Sequence, residues 1–334
     1  MHVVLIALLT LGAPPRPVPG PPIPPPGRLI DVGGWRLHLN CTGQRGANQP
    51  LVVLEAGAGD FSVEWGLVQP RVAAFGRACS YDRAGDGWSD LGPHPRTMHQ
   101  VAYELHTLLR NAGEPPPYVL VGHSYGGWLV RVYRSVYPSD VAGMVLVEGG
   151  ADNPLRVMAD GTLAHSTDLA TGRPIPPINT ATPLKVSDIP PQALAQMTAG
   201  LEDASRHAND PPRDKLPPDA QRMRTWALGQ LGHVAAAVNP FTEEELAQLR
   251  AEHPNGEHVY GDMPVVVIAR GKPEDDVRID AAREAERAKE YAALAGLSTR
   301  GTHVIATESG HHVHLEQPDL VVAAIRRVLG MSVK

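Results

Sequence analysis

Residues Tyr118–Gly127 read YVLVGHSYGG. An apolar run of Tyr118, Val119, Leu120 and Val121 meets a Gly-His-Ser-Tyr-Gly turn, and a helix-compatible stretch follows to about Tyr137, closed by Pro138. A buried strand, a sharp turn with serine at its tip and a helix form the setting in which a G-x-S-x-G match carries chemical meaning. Glycine at 122 and 126 suits a turn where a Cβ would strike the crossing backbone. This predicts Ser124 Oγ exposed at the carboxyl end of a central strand, with the Tyr125 N–H facing any oxyanion formed there. The competing reading is a small-residue turn with a surface serine.

Moving outward, strands and helices alternate. Residues 28–40 (RLIDVGGWRLHLN) read as two short strands turning at Gly33-Gly34. Residues 51–57 (LVVLEAG) look like a buried parallel strand. A helix is expected near Ser62–Phe75, then a strand at 78–82 (ACSYD) and a turn RAGDGWSD. Thr97 with Gln100 suggests a capping box for a helix with Val101, Leu105, Leu108 and Leu109 on one face and Gly113 at its end. Residues 143–147 form the next strand. From Ala151 to about Met263 prolines cluster and no convincing strand is seen, although a helix boxed by Thr242 and Glu245 is expected. Strands resume at 264–269 and 303–307, separated by a charged helix at about 280–294, and a last helix runs from Pro318 to Leu329. The pattern predicts a doubly wound, mostly parallel sheet with a helical insertion as a lid over the carboxyl ends of the strands. The expected division is 1–27 as a signal-like segment and proline-rich linker, 28–150 with 263–334 as core, and 151–262 as lid.

With 334 residues, 43% hydrophobic and 20% charged, the chain can bury one large α/β core. Its net charge of −6, with no long basic run, gives no reason to expect a nucleic-acid partner. The apolar run at 3–11 (VVLIALLTL) is too short for a stable membrane span and resembles the core of a secretory signal, so export is expected. No CxxC or HExxH spacing occurs, so neither a metal nor a cofactor is expected.

A serine attacks a carbonyl carbon only if a base takes its proton. Of 15 histidines, His311 follows a predicted strand and the pair Ser309-Gly310, precedes the last helix, and comes after the serine and the candidate acids in chain order. His312 and His314 read as unremarkable neighbours, and His123 as a structural elbow residue facing into the fold. With LEAGAGD, YDRAGDGWSD, GHSYGG and SGHHVHLEQP in this order, the chain resembles the α/β-hydrolase superfamily over about 28–330, most of all bacterial esterase-like members with LEAG in place of the commoner His-Gly. The resemblance implies an eight-stranded sheet, and an oxyanion hole formed by the Ala58 and Tyr125 N–H groups.

The acid that orients His311 has two candidates. Glu148 ends VLVEGG, and Glu274 heads the acidic run with Asp275 and Asp276 after the next strand. Glu148 is preferred, because a carboxylate between Val147 and two glycines has little reason to be there without a partner. Asp82, Arg83 and Asp86 read first as an ordinary charge-paired turn, with support of a pocket floor as the alternative. The expected activity is hydrolysis of a small-molecule carboxylic ester through an acyl-enzyme. Amide or peptide hydrolysis on the same scaffold, or a catalytically silent ligand-binding protein, are the alternatives. Ser124 argues against dehalogenase and epoxide-hydrolase chemistry, which related families run with an aspartate at that place. In the resembling families' strand order, Cys41 and Cys79 lie on neighbouring antiparallel strands, which implies a disulfide if the protein is exported.

Overall fold

A computed structural model describes residues 22–332 except 159, 161, parts of 181–200, 237–238, 254–257 and 274–280. The expected signal run, and Glu274 with its acidic neighbours, lie outside the described residues. Eight strands form one sheet: β1 (Arg28–Asp31), β2 (Arg36–Thr42), β3 (Leu51–Glu55), β4 (Ala78–Tyr81), β5 (Tyr118–His123), β6 (Val141–Val147), β9 (Val265–Arg270) and β10 (Gly301–Ala306). Their order across the sheet is β1-β2-β4-β3-β5-β6-β9-β10. β1 and β2 are antiparallel to their neighbours, and every pairing from β4 to β10 is parallel. β3 and β5 are buried along their whole length, as expected of strands covered on both faces.

The helices used below are α1 (Met98–Asn111), α2 (Tyr125–Val136), α3 (Pro218–Leu228), α4 (Leu231–Ala236), α5 (Thr242–Ala251), α6 (Ala281–Gly296) and α7 (Pro318–Val328). Leu105 of α1, Leu129 of α2 and Leu294 of α6 pack on one face of the sheet with Leu51, Val53 and Leu120. Val321 and Ile325 of α7 pack on the other, with Val52, Leu54 and Val119. Burying a side chain of this kind contributes about 1.5–3 kcal/mol, so the two apolar layers dominate the stability of the sheet.

Cys41 and Cys79 are register partners on β2 and β4 and form a disulfide spanning 38 residues. Loop closure of that length stabilises by about 3–4 kcal/mol on the chain-entropy estimate. Among the described residues, the only His, Cys, Asp and Glu side chains grouped closely enough to hold a metal are these two cysteines with Glu114, and the disulfide occupies both sulfurs.

Several local expectations are corrected. The stretch after β3 is broken into a 3-10 turn at Ser62–Leu67 and a short helix at Gln69–Ala73, because Pro70 cannot extend the first. Thr97 caps α1 by accepting the Gln100 N–H, but the Gln100 side chain turns away to Glu104 and Asn179. α5 begins at Thr242 as expected, but Phe241 takes the cap position and no box forms, because Glu245 reaches across to the Met98 and His99 N–H groups that open α1. Its carboxylate thus satisfies the free donors of a different helix. The insertion also contains a two-stranded hairpin, β7 (Leu155–Val157) with β8 (Leu163–His165), where no strand was expected. Strands this short carry too little periodicity to be seen in the sequence.

Candidate active site

β5 delivers Ser124 to the start of α2 at φ 51° and ψ −120°, a left-handed conformation unusual for a residue with a side chain. The surrounding glycines make this geometry possible. A Cβ at Gly122 would stand 2.3 Å from the Gly126 carbonyl oxygen, and one at Gly126 would stand 2.6 Å from that of Glu55. Without side chains there, α2 can cross β3 and β5 at near contact. The Ser124 N–H donates to the Val147 carbonyl at 3.0 Å, which ties the turn to the end of β6.

Ser124 opens into a cavity of about 230 Å³ that it shares with His311, Glu148, Arg270, Arg287 and Glu290. His311 Nδ1 lies 4.0 Å from Glu148 Oε1 and has no hydrogen-bond partner among the described residues. Glu148 is buried, also has positive φ (47°), and accepts the Arg270 N–H at 2.6 Å, Arg270 Nη1 at 3.0 Å and Arg287 Nη1 at 3.2 Å. Two guanidiniums and a backbone donor make it tolerable for a carboxylate to be buried here. Burial, then the charges of His123 and His312, hold His311 well below the ordinary histidine range. The ring is therefore neutral, the form able to accept a proton, although 34% of the side chain remains exposed.

His123 is buried and its Nε2–H donates to the His311 carbonyl at 2.9 Å, so the elbow histidine braces the backbone of His311. His314 is more than the unremarkable neighbour expected. It is fully buried, its ring centroid lies 4.2 Å from that of His123, and its Nε2 is 3.7 Å from Glu64 Oε2.

Ala58 and Tyr125 line a second, smaller cavity of about 130 Å³ with Arg83, Asp86, Arg96 and His233. The loop carrying Ala58 is held by Arg83, which donates to the carbonyls of Ala56 at 2.8 Å, Gly57 at 2.6 Å and Asp60 at 3.0 Å. Arg83 also pairs with Glu55 at 2.7 Å, and Glu55 in turn accepts the Tyr81 hydroxyl. The expected charge pairing within the turn is present, Arg83 meeting Asp86 at 3.5 Å, but the turn is not an exposed one. All three are buried, and Asp82 accepts the Ser62 N–H and pairs with His38 at 2.9 Å. Arg83 and Asp86 also line the smaller cavity, as the alternative reading had it, while Asp82 braces the turn from behind. The glutamate of LEAG and the YDR of the following motif form one network, a pairing that the sequence shows only as two separate motifs.

The insertion meets the core through residues that sequence reasoning did not single out. Arg224 and Arg213 reach Asp60 at 3.1 and 3.0 Å, and both also contact Glu64. Burial raises the Asp60 carboxyl, but these two arginines outweigh it and hold it well below the carboxylate range. Glu64, desolvated by burial and beside the charge of Asp60, is pushed up to about 7.

The sequence profile of the alpha/beta hydrolase family matches residues 51–324. An AB hydrolase superfamily protein of Gibberella zeae is 25% identical over 304 residues, covering 84% of this chain and 86% of its own length. A protein described as "Probable transporter efuK" from Hormonema carpetanum is 37% identical over 125 residues, 36% of this chain but only 18% of that protein. Among solved structures, a thermophilic esterase from Thermogutta terrifontis superposes with a TM-score of 0.56 at 20% identity, covering 91% of this chain and 97% of that one. An enol-lactonase from Burkholderia xenovorans LB400 gives a TM-score of 0.57 at 17% identity, covering 91% of this chain and all (100%) of that one. These structural likenesses concern the fold. The profile match spans most of the chain and all the parallel strands, and the protein belongs to the alpha/beta hydrolase family.

Proposed function

We propose that the protein is a serine hydrolase that cleaves a carboxylic ester through an acyl-enzyme. The observation that carries this reading is the meeting of Ser124, His311 and Glu148 in one cavity, with a neutral His311 whose Nδ1 faces Glu148 at 4.0 Å. In this scheme Ser124 Oγ attacks the ester carbonyl while His311 Nε2 takes its proton. Glu148 accepts the Nδ1–H, fixes the tautomer and stabilises the imidazolium; the separation must shorten by about 1 Å to reach hydrogen-bond length. The Ala58 and Tyr125 N–H groups hold the oxyanion, each such donor being worth about 3 kcal/mol of barrier. His311 returns the proton to the leaving oxygen, and water repeats the sequence on the acyl-enzyme.

The inserted residues 151–262 serve in this reading as the lid, which sets substrate preference more than chemistry. The Cys41–Cys79 disulfide supports export to an oxidising compartment; two free thiols in protein recovered from such a compartment would count against it. The test of the activity is covalent labelling by a fluorophosphonate probe, mapped by peptide mass spectrometry, followed by a chain-length series of p-nitrophenyl esters. Labelling at Ser124 with ester turnover is expected. An unlabelled Ser124 in folded protein would overturn the reading.

A further inference from the structure

The smaller cavity contains a histidine that the chemistry above leaves unused. His233 lies on α4, in the insertion, and its placement depends on its neighbour. A Cβ on Gly232 would stand 2.8 Å from the Gly85 carbonyl oxygen, so glycine lets α4 approach the turn after β4 this closely. That approach sets His233 Nδ1 2.9 Å from Oδ1 of the buried Asp86. A carboxylate can only accept, so Nδ1 carries a proton, and in the neutral ring Nε2 presents a lone pair. The Cε1–Nε2 edge of the ring lies over the loop that carries Ala58, 3.7–3.8 Å from where a Cβ on Gly59 would stand. Nε2 makes no hydrogen bond to a described residue.

The other polar groups of this wall are committed. Arg83 serves Glu55 and the loop carbonyls, and Arg96 makes two bonds to Glu104. Asn239 bridges Tyr125, Glu245 and the Phe241 N–H, and the Thr242 hydroxyl donates to the Asn239 carbonyl. His233 Nε2 is the lining imidazole nitrogen that makes no hydrogen bond to a described residue, in a cavity of about 130 Å³.

The two cavities can be assigned to the two halves of an ester. The residue that must protonate the leaving oxygen, His311, lines the larger one, so the alcohol belongs there. The proposed oxyanion donors line the smaller one, which therefore takes the acyl group. We propose that His233 is a specificity-determining residue, whose Nε2 accepts a hydrogen bond from a hydroxyl or amide N–H on a short acyl chain. Asp86 acts through it, as a positioning residue. This inference rests on the serine-hydrolase reading and adds the acyl class to it. A site built around a hydrogen bond discriminates against the analogue lacking the donor, since its own polar group is then left unpaired.

The test compares p-nitrophenyl β-hydroxybutyrate with p-nitrophenyl butyrate, in wild type, His233→Ala and His233→Gln, with fluorophosphonate labelling of Ser124 run on each protein. Wild type is expected to favour the hydroxy ester in kcat/KM by about tenfold, the scale of one net hydrogen bond. His233→Ala should bring that ratio to near one, mostly through KM, and His233→Gln, which keeps an acceptor at that distance, should restore part of it. Three results overturn the proposal: no preference in wild type, a ratio unchanged by His233→Ala, or labelling of Ser124 without turnover of either ester. Failure of Ser124 to label in wild type would instead strike the serine-hydrolase reading.

Discussion

Around β5 the sheet is held by apolar layers, with Val119 and Val121 facing α7 and Leu120 facing α2. The insertion meets that sheet core differently. Leu246 and Leu249 of α5 join the main apolar layer, but beside the site its apolar contribution is a small cluster in which Ala208, Ala227 and Leu228 meet Phe61 and Val63, and there Arg213 and Arg224 enter a buried pair of carboxylates, Asp60 and Glu64. A second charged anchor, Glu245, caps α1 and contacts Asn239, which reaches Tyr125. Apolar burial is non-directional and tolerant of volume-conserving change. A buried ion pair costs desolvation and repays it only in good geometry. The contrast teaches that the sheet is built to hold Ser124, Glu148 and His311 in place, while the insertion is docked by interactions that are directional and depend on charge.

The largest expected effect tests the first half of that contrast. Ser124→Ala and His311→Ala should each lower kcat on a small ester by roughly 10⁴-fold or more while leaving thermal unfolding nearly unchanged, with the double variant little worse than either one. Glu148→Gln should follow at about 10³–10⁴-fold, because the amide would stabilise the wrong tautomer of His311. Steady-state kinetics and calorimetry on the same samples check both. A near-normal kcat in Ser124→Ala would remove the chemistry from the sheet altogether.

The next effect addresses the docking. Arg224 is buried, so Arg224→Ala leaves Arg213 as the one arginine on Asp60 and Glu64 among the described residues, and should destabilise the protein by about 3–5 kcal/mol. Denaturant titration reads this. A loss below about 1 kcal/mol would place the adhesion of the insertion in its small apolar cluster, and the contrast would fail.

The smallest effect is a pH dependence. Burial above all, and then the crowding of imidazoles that would repel one another if charged, hold His123 and His314 well below the ordinary histidine range. Below about pH 6.5 the unfolded chain takes up protons at these positions and the native one does not, so stability falls as the pH drops. Glu64 has the opposite sign. With its native value near 7, the folded state binds a proton that the unfolded carboxyl releases down to its ordinary range, so acidification from pH 7 favours folding through this group. Among the described residues seven histidines are held low (His94, His106, His123, His303, His311, His312 and His314) against three glutamates held high (Glu55, Glu64 and Glu290), which predicts a net loss of stability from pH 7 to 5, and Glu64→Gln should make that loss steeper. A melting temperature that rises over this interval would contradict the burial of these rings.

The pairing of Cys41 with Cys79 was implied only by the strand order of the resembling families; the sequence by itself determined the alternation of strands and helices, the elbow around Ser124 and the position of His311. These rest on short-range patterns: an apolar run, glycines where a Cβ cannot fit, and motifs in a fixed order. It also favoured Glu148, on the ground that a carboxylate among apolar and glycine residues needs a partner, and the tertiary structure places that carboxylate beside His311, Arg270 and Arg287. What only the tertiary structure decided are contacts between residues far apart in the chain. Arg83 supports the Ala58 loop, Arg224 crosses 164 residues to Asp60, and His233 crosses 147 to Asp86. A lone arginine or histidine in a proline-broken, polar segment carries no periodicity and no local partner. Its meaning depends on which carboxylate the folded chain brings within about 3 Å, because charge and hydrogen bonding act through distance in space and leave no mark on spacing in sequence.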